Sequence, residues 1–392
     1  MREVEEKFWA NPSALYGEAL EAKKILTESR EKIARILNCQ KNDIVFTSGG
    51  TEGNNLALLG VFEACCTSTF TPHIVTTAIE HSSVLETCKE IERRGGEVTY
   101  VSVDENGLVN PKDIAKAIKE NTVLVSVMYA NNEIGTIQPI KEIGRTIKQY
   151  RKEYRRKSER ENDAWPYLHT DACQGFPLTL DTQSLGVDLI TLDGIKMYGP
   201  RGAGILYVKP DVAIMPVLFG GGQERGLRSG TENVASAVGL AEALEIADRM
   251  REKESARMSD IRDYAIEKIL KTFPNVSLNG SRTERLPNNI NICFPGLDAE
   301  FAVVSLDVLG ISASYSSSCR TLAEDSSSYV ISALQKSYPH DVEPKAATSV
   351  DGFSALGKSD CSLSSLRFTL GRESTRNDMD ALVIALKKIM VS

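Results

Sequence analysis

The chain has 392 residues, with Lys plus Arg 46 against Asp plus Glu 53 and a formal net charge of −7, which argues against a dedicated nucleic-acid binder. With 42% hydrophobic and 25% charged residues it falls among ordinary globular chains, and disorder and fibrous repeats are excluded. No apolar run approaches the roughly 20 residues of a membrane helix, and the charged stretch from Met1 to Ala10 lacks the apolar core of a secretory signal.

In chain order, β-branched runs at 44–47, 73–77, 98–103, 122–128, 167–170 and 189–191 read as strands. Helical patterns at 52–64, 82–94, 111–119 and 139–157 separate them. That alternation predicts an α/β domain with a mostly parallel sheet, in which ligands sit at the carboxyl ends of the strands. Residues 229–273 read as almost all helix. Beyond them come a strand (289–294), helices (299–309 and 326–336), a strand (365–370) and a helix (378–390) introduced by Thr375 and Asp378 in capping-box spacing. These predict a smaller α+β domain. The expected division is a large domain over 11–245 and a small one over 246–392 together with 1–10. The basic run 148–160 reads as a solvated helix extension, with docking of an acidic partner as the lesser reading. The Pro-, Ser- and Gly-rich 338–360 reads as a loop.

The eight cysteines (Cys39, Cys65, Cys66, Cys88, Cys173, Cys293, Cys319 and Cys361) show no C-x-x-C spacing of a zinc site, so no metal is expected. They read as reduced thiols of a cytoplasm-like compartment, or of an organelle matrix of similar redox state.

Several strand ends carry chemistry. T-S-G-G-T-E-G-N-N, Thr47 to Asn55, passes from a strand into a helix, and its Gly50 and Thr51 suit a phosphate as well as a plain helix cap. His81 follows the 73–77 strand, a place that favours function over a core histidine. N-N-E-I-G-T, with Asn132, reads on its own as a polar turn. Asp171 ends an apolar strand, where a carboxylate needs a compensating proton or cation. Lys196 stands in the Gly-framed D-G-I-K-M-Y-G-P-R-G and is placed for a Schiff base. A carboxylate for a pyridinium nitrogen and a Schiff-base lysine are the two handles that pyridoxal 5'-phosphate requires.

These motifs, with E-H-S-S-V, D-A-C-Q and G-G-G-Q-E-R-G-L-R-S-G-T, resemble the cysteine desulfurase family, pyridoxal-phosphate enzymes of aminotransferase fold type I. The similarity runs from Asn11 to the final helix and is to the class with the longer catalytic-cysteine loop. It implies a seven-stranded-type, mostly parallel sheet between helices and a small C-terminal domain bearing the nucleophile. Lys196 matches the Schiff-base lysine, Asp171 the acid on the ring nitrogen, and His81 the stacked imidazole that exchanges protons. Gln174 and Asn132 match groups on the ring hydroxyl and the substrate carboxylate region, and Gly50 and Thr51 match the phosphate turn. Thr231 matches a threonine that reaches the cofactor phosphate of a second subunit, which implies a homodimer. Arg367 matches the arginine that pairs with the carboxylate of L-cysteine, and Cys319 matches the nucleophile that receives sulfur as a persulfide. Cys173 is the second candidate nucleophile. The implied acceptor is an iron–sulfur scaffold or a tRNA-thiolation protein, with no membrane and no direct nucleic-acid partner.

The sequence departs from the family pattern at cofactor-facing positions. Asp193 and Ile195 replace a small polar residue and a histidine before the lysine, and Gln223 stands where histidine is common. The family's usual opening strand, with its Asn-Ala-Ala-Thr-like segment, is not found ahead of N-P-S-A-L-Y-G in this sequence. Two other readings stay open: a selenocysteine lyase-like enzyme, and a degenerate, non-catalytic relative acting as a scaffold.

Overall fold

The structure, a computed structural model, describes residues 1–155, 165–315, 327–336 and 361–391. Cys319, the loop at 338–360 and the end of the basic run from 156 onward lie outside the described residues. The helices are α1 (Arg2–Lys7), α2 (Gly17–Leu37), α3 (Gly50–Cys65), α4 (Ser82–Arg93), α5 (Pro111–Ala117), α6 (Ile140–Arg155), α7 (Thr182–Leu185), α8 (Val234–Thr272), α9 (Ala299–Val308), α10 (Tyr329–Lys336) and α11 (Arg376–Val391). The strands are β1 (Ile44–Thr47), β2 (His73–Thr77), β3 (Glu97–Val101), β4 (Thr122–Ser126), β5 (Tyr167–Asp171), β6 (Leu189–Asp193), β7 (Gly204–Val208), β8 (Ser277–Leu278), β9 (Asn289–Cys293) and β10 (Ser365–Thr369).

Two compact units form. Unit 1 comprises Met1–Val101, Val109–Ala130 and Gln138–Lys253; unit 2 comprises Ser102–Leu108, Asn131–Ile137 and Glu254–Ser392. Residues 1–10, expected with the smaller domain, belong to unit 1, where the Met1 side chain lies against Gly239 of α8.

Unit 1 is built on a seven-stranded sheet ordered β1-β7-β6-β5-β4-β2-β3. β6, β5, β4, β2 and β3 run parallel, and β7 is antiparallel to both β6 and β1. Parallel neighbours need helical crossovers, which explains the strand–helix alternation of this half. β2, β4 and β5 are buried at every position, as expected for strands covered on both faces. α3 packs on β4, β6 and β7, and Leu58 and Phe62 join Val45, Ile74, Leu124 and Leu206 in the core. β7 was not among the sequence-predicted strands. Its run Gly204–Val208 is wholly apolar and follows a glycine-rich turn, so it offers no alternation to read.

Unit 2 carries a three-stranded antiparallel sheet ordered β10-β9-β8. Ile266, Ile290, Phe294, Leu306, Leu366 and Leu386 form its core. Two stretches from the first half of the chain are built into it. The Glu133 carbonyl accepts from Asn289 Nδ2 and Asn291 Nδ2, each at 3.0 Å, and Thr136 Oγ1 donates to the Asn106 carbonyl at 2.8 Å. The buried Arg285 donates to the Ser281 carbonyl (2.7 Å) and to Asn289 Oδ1 (3.0 Å), and burial pushes its guanidinium down to about 9.

Helix starts differ from expectation where a side chain caps later or earlier. Asn233 Oδ1 accepts from Ser236 N at 3.0 Å, so α8 begins at Val234 and not at 229. The capping pair before α11 forms, with Thr375 N and Thr375 Oγ1 both donating to Asp378 Oδ2 at 2.8 Å, and the helix starts at Arg376.

One expectation is overturned. Cys293 and Cys361 are joined as a disulfide, so not all eight cysteines are reduced thiols. The antiparallel pairing of β9 with β10, continued by Phe294 N donating to the Ser364 carbonyl at 2.7 Å, returns the chain beside the end of β9 and brings the two Cα atoms to 5.4 Å.

Candidate active site

Asp171 is the last residue of β5 and is buried. Its Oδ2 accepts from Asn54 Nδ2 at 2.7 Å and its Oδ1 from the backbone N of Cys173 at 3.0 Å. Asn54 Nδ2 also donates to Ser83 Oγ at 2.8 Å. Ser83 Oγ in turn lies 2.8 Å from His81 Nδ1, which accepts from the Ser83 backbone N at 3.1 Å as the N-cap of α4. With Nδ1 used as an acceptor, the hydrogen-bond pattern assigns the neutral ring's proton to Nε2. A continuous path thus runs from the carboxylate at the end of β5 to the imidazole after β2.

Neither Asn54 nor Ser83 was singled out from the sequence. Asn54 lies four residues after Gly50 and therefore shares its helix face, which is the signal that would have found it.

Buried groups surround this path. Glu80 accepts from Thr77 Oγ1 at 2.6 Å and from Met128 N at 3.0 Å, yet burial pushes its carboxyl up to about 8, with the Asp171 charge adding to the rise. His169, between Ser126 Oγ (2.8 Å) and Thr191 Oγ1 (3.0 Å), is driven down to about 4 by burial. It is a neutral core histidine. Burial, then the charge of Asp171, raises the Cys173 thiol well above its ordinary value, which favours the thiol over the thiolate.

Lys196 is exposed on the tight turn Gly194–Met197 that joins β6 to β7. Gly194 N donates to the Ala203 carbonyl and Gly199 N to the Gly194 carbonyl, both at 2.8 Å, so the lysine stands on a backbone fixed at both ends.

The turn before α3 holds Gly50 and Thr51. Gly49, at φ 145, adopts a backbone that only glycine takes without strain. At Gly50 a Cβ would come within 2.5 Å of Cys173 Sγ. Asp193 faces this turn: its Oδ2 accepts from Gly50 N at 3.0 Å, and its Oδ1 accepts from Ile195 N at 3.2 Å. Glu52 Oε2 accepts from Ser48 N at 2.8 Å, and Arg228 pairs with Glu52 at 2.9 Å. Gln174 is half-buried just after β5. Thr231 is exposed and lines a cavity of about 190 Å³ with Thr47, Ser48 and Arg228.

In unit 2, Arg367 of β10 donates from Nη1 to the Asn132 carbonyl at 3.0 Å. The Arg367 backbone pairs with Ser314 through N–H···O contacts of 2.6 and 3.1 Å, in the stretch that leads toward Cys319.

The donor set of unit 1 fits pyridoxal phosphate at its ring. It offers a buried carboxylate held by an amide and a backbone N–H, an imidazole with a fixed tautomer and a primary amine on a rigid turn. The start of α3, with Thr51, would suit the phosphate, although one of its amides, that of Gly50, is taken by Asp193. Among the described residues, no group of His, Cys, Asp and Glu is arranged as a metal site. No helix among them is long and apolar enough to cross a membrane.

Residues 1–382 match the family model described as aminotransferase class-V. The chain is 39% identical to the cysteine desulfurase IscS of Dictyoglomus turgidum over 99% of this chain and 89% of that protein. It is 39% identical to the cysteine desulfurase IscS of Clostridium botulinum over 97% and 87%. Among solved structures, a NifS-like protein superposes with a TM-score of 0.83 at 30% identity, covering 99% of this chain and 94% of that one. A structure titled SspA in complex with cysteine gives a TM-score of 0.73 at 30% identity, covering 94% and 93%. With the family model, the relatives and the fold in agreement, the chain belongs to the aminotransferase class-V family, among its pyridoxal-phosphate-dependent cysteine desulfurases.

Proposed function

We propose that the chain converts L-cysteine to L-alanine and holds the released sulfur as a persulfide on Cys319, for delivery to an iron–sulfur scaffold or a tRNA-thiolation protein. The observation that carries this reading is the Asp171–Asn54–Ser83–His81 path together with the lysine on the β6–β7 turn. When bound, pyridoxal phosphate supplies an electron sink for the charge that develops at the substrate Cα. Asp171, Gln174, Gly50, Thr51 and Lys196 would hold it.

Each protein group then has a defined task. Asp171 faces the ring nitrogen from the strand end, its two oxygens positioned by Asn54 and the Cys173 amide. His81 presents a proton at Nε2, since Nδ1 is held by Ser83. Lys196 moves a proton at Nζ. Arg367, braced by the Asn132 carbonyl, orients the substrate carboxylate. Cys319 takes the sulfur: the Cβ–S bond of cysteine breaks, an S–S bond to Cys319 forms, and the new methyl group of alanine gains a proton. In this reading the domain over 11–245 binds the cofactor and the smaller domain carries the nucleophile. The protein acts as a homodimer in which Thr231 reaches the cofactor of the second copy.

Alanine and sulfide release from L-cysteine with a reductant tests the reading. The expected result is full activity in the wild type and none in Lys196→Ala. Cys319→Ser should retain cofactor absorbance while losing sulfide release. Undiminished release by Cys319→Ser would reject the nucleophile, and no alanine from the wild type with saturating cofactor would favour the non-catalytic reading.

A further inference from the structure

The carboxylate of Asp193 bridges two turns. Oδ2 is bound by the amide of Gly50, the first residue of α3, and Oδ1 by the amide of Ile195, one residue before the lysine. A helix start is a favourable place for one negative charge, because its free amides and dipole point outward. In this chain that position is already held by a side chain of the protein itself. No ion pair joins Asp193 to a cation among the described residues, whereas the neighbouring Glu52 is paired with Arg228. The side chain is also closely fitted: a Cβ on Gly49 would come within 3.2 Å of Asp193 Oδ2, and one on Gly50 within 3.4 Å.

We infer that Asp193 acts as a built-in anion at the phosphate turn and sets the discrimination between phosphorylated and unphosphorylated forms of the cofactor. The inference rests on the reading of unit 1 as a pyridoxal-phosphate site. The cofactor carries its negative charge on the phosphate. A ligand with that group meets the Asp193 carboxylate or must displace it from the Gly50 amide, and either route weakens binding. Pyridoxal, which has the same ring and aldehyde but no phosphate, meets neither obstacle. Asp193 is therefore a specificity-determining residue that lowers the advantage of the phosphorylated form.

The test is equilibrium titration of cofactor-free protein with pyridoxal phosphate and, separately, with pyridoxal, followed by the absorbance that depends on Lys196. Three proteins are compared: wild type, Asp193→Asn and Asp193→Ser. Asparagine removes the charge and keeps one acceptor oxygen, enough for the Gly50 amide or the Ile195 amide but not for both; serine removes the charge with a side chain too short to bridge the two turns. The expected result is that both substitutions tighten pyridoxal phosphate by about tenfold or more, the size of effect expected for removing one close like charge near a protein surface. The dissociation constant of pyridoxal should stay within about twofold, which also shows that the lysine turn is intact. Unchanged or weaker binding of pyridoxal phosphate in both variants would overturn the inference, as would an equal gain for both ligands. Absence of Lys196-dependent absorbance with either ligand in all three proteins would overturn the cofactor-site reading, and the inference with it.

Discussion

Glu80 shows how a single side chain writes itself into the pH response. Its carboxyl is at about 8 in the fold, against 4.5 as the ordinary value, because it is fully buried beside Asp171. The folded protein therefore holds a proton that the unfolded chain releases. This stabilisation is complete below pH 4.5 and is lost as pH rises toward 8. The buried, neutral His73 and His169, both driven down to about 4, have the opposite sign: their stabilisation is present above 6.5 and fades as pH falls through about 4. Glu80→Gln isolates the first effect. Relative to wild type it should be nearly neutral at pH 5 and more stable at pH 8.5, by on the order of 3 kcal/mol, in urea midpoints taken at each pH. A constant difference across that range would reject an ionising Glu80. At this scale the sequence exposed the groups at strand ends, Asp171, His81 and Lys196, because topology fixes where ligands sit. Asn54 and Ser83 stayed hidden, because their importance lies in bonds between α3, α4 and β5 that no local pattern encodes.

β7 passes close against the turn before α3. A Cβ on Gly204 would come within 2.6 Å of Gly49 Cα, a backbone atom that no rotamer change can move aside. Gly204→Ala should cost about 1–3 kcal/mol in denaturant midpoint. Because the same turn carries Gly50, it should also weaken cofactor binding, whereas Gly17→Ala, where a Cβ meets nothing within 4 Å, should leave cofactor binding unchanged. Equal cofactor affinities for the Gly204 variant and wild type would show that the turn absorbs the push. At the other end of the chain, Thr375→Ala removes the cap of α11 and should cost about 1 kcal/mol, read as a lower thermal midpoint. Of the strands of the large sheet, β1 and β2 match their predicted spans residue for residue, because β-branched runs bounded by turn residues are local signals. β7 and the two-residue β8 were not legible. The first has no alternation, and the second is too short to carry a period.

Across the whole molecule, the proposed cofactor residues lie in unit 1, while Asn132 and Arg367 belong to unit 2. Arg367→Ala should therefore leave the cofactor absorbance in place and raise KM for L-cysteine on the order of a hundredfold, with Arg367→Lys recovering part of the loss. A loss of cofactor absorbance in Arg367→Ala would assign this residue a structural role instead. The broad architecture, an α/β part followed by an α+β part, followed from the order of periodic segments. The Cys293–Cys361 bond did not, since its partners stand 68 residues apart and meet only through the pairing of β9 with β10.

The smaller unit is not a contiguous piece of chain. Its buried Asn289 and Asn291 amides are met by a carbonyl at Glu133, made long before them. During synthesis the 131–137 stretch thus emerges without its partners and must wait for more than 150 further residues. The C-terminal portion released alone would lack the carbonyl that accepts from these two amides. Cutting the gene between the halves would leave each fragment with groups whose hydrogen-bond partners lie in the other.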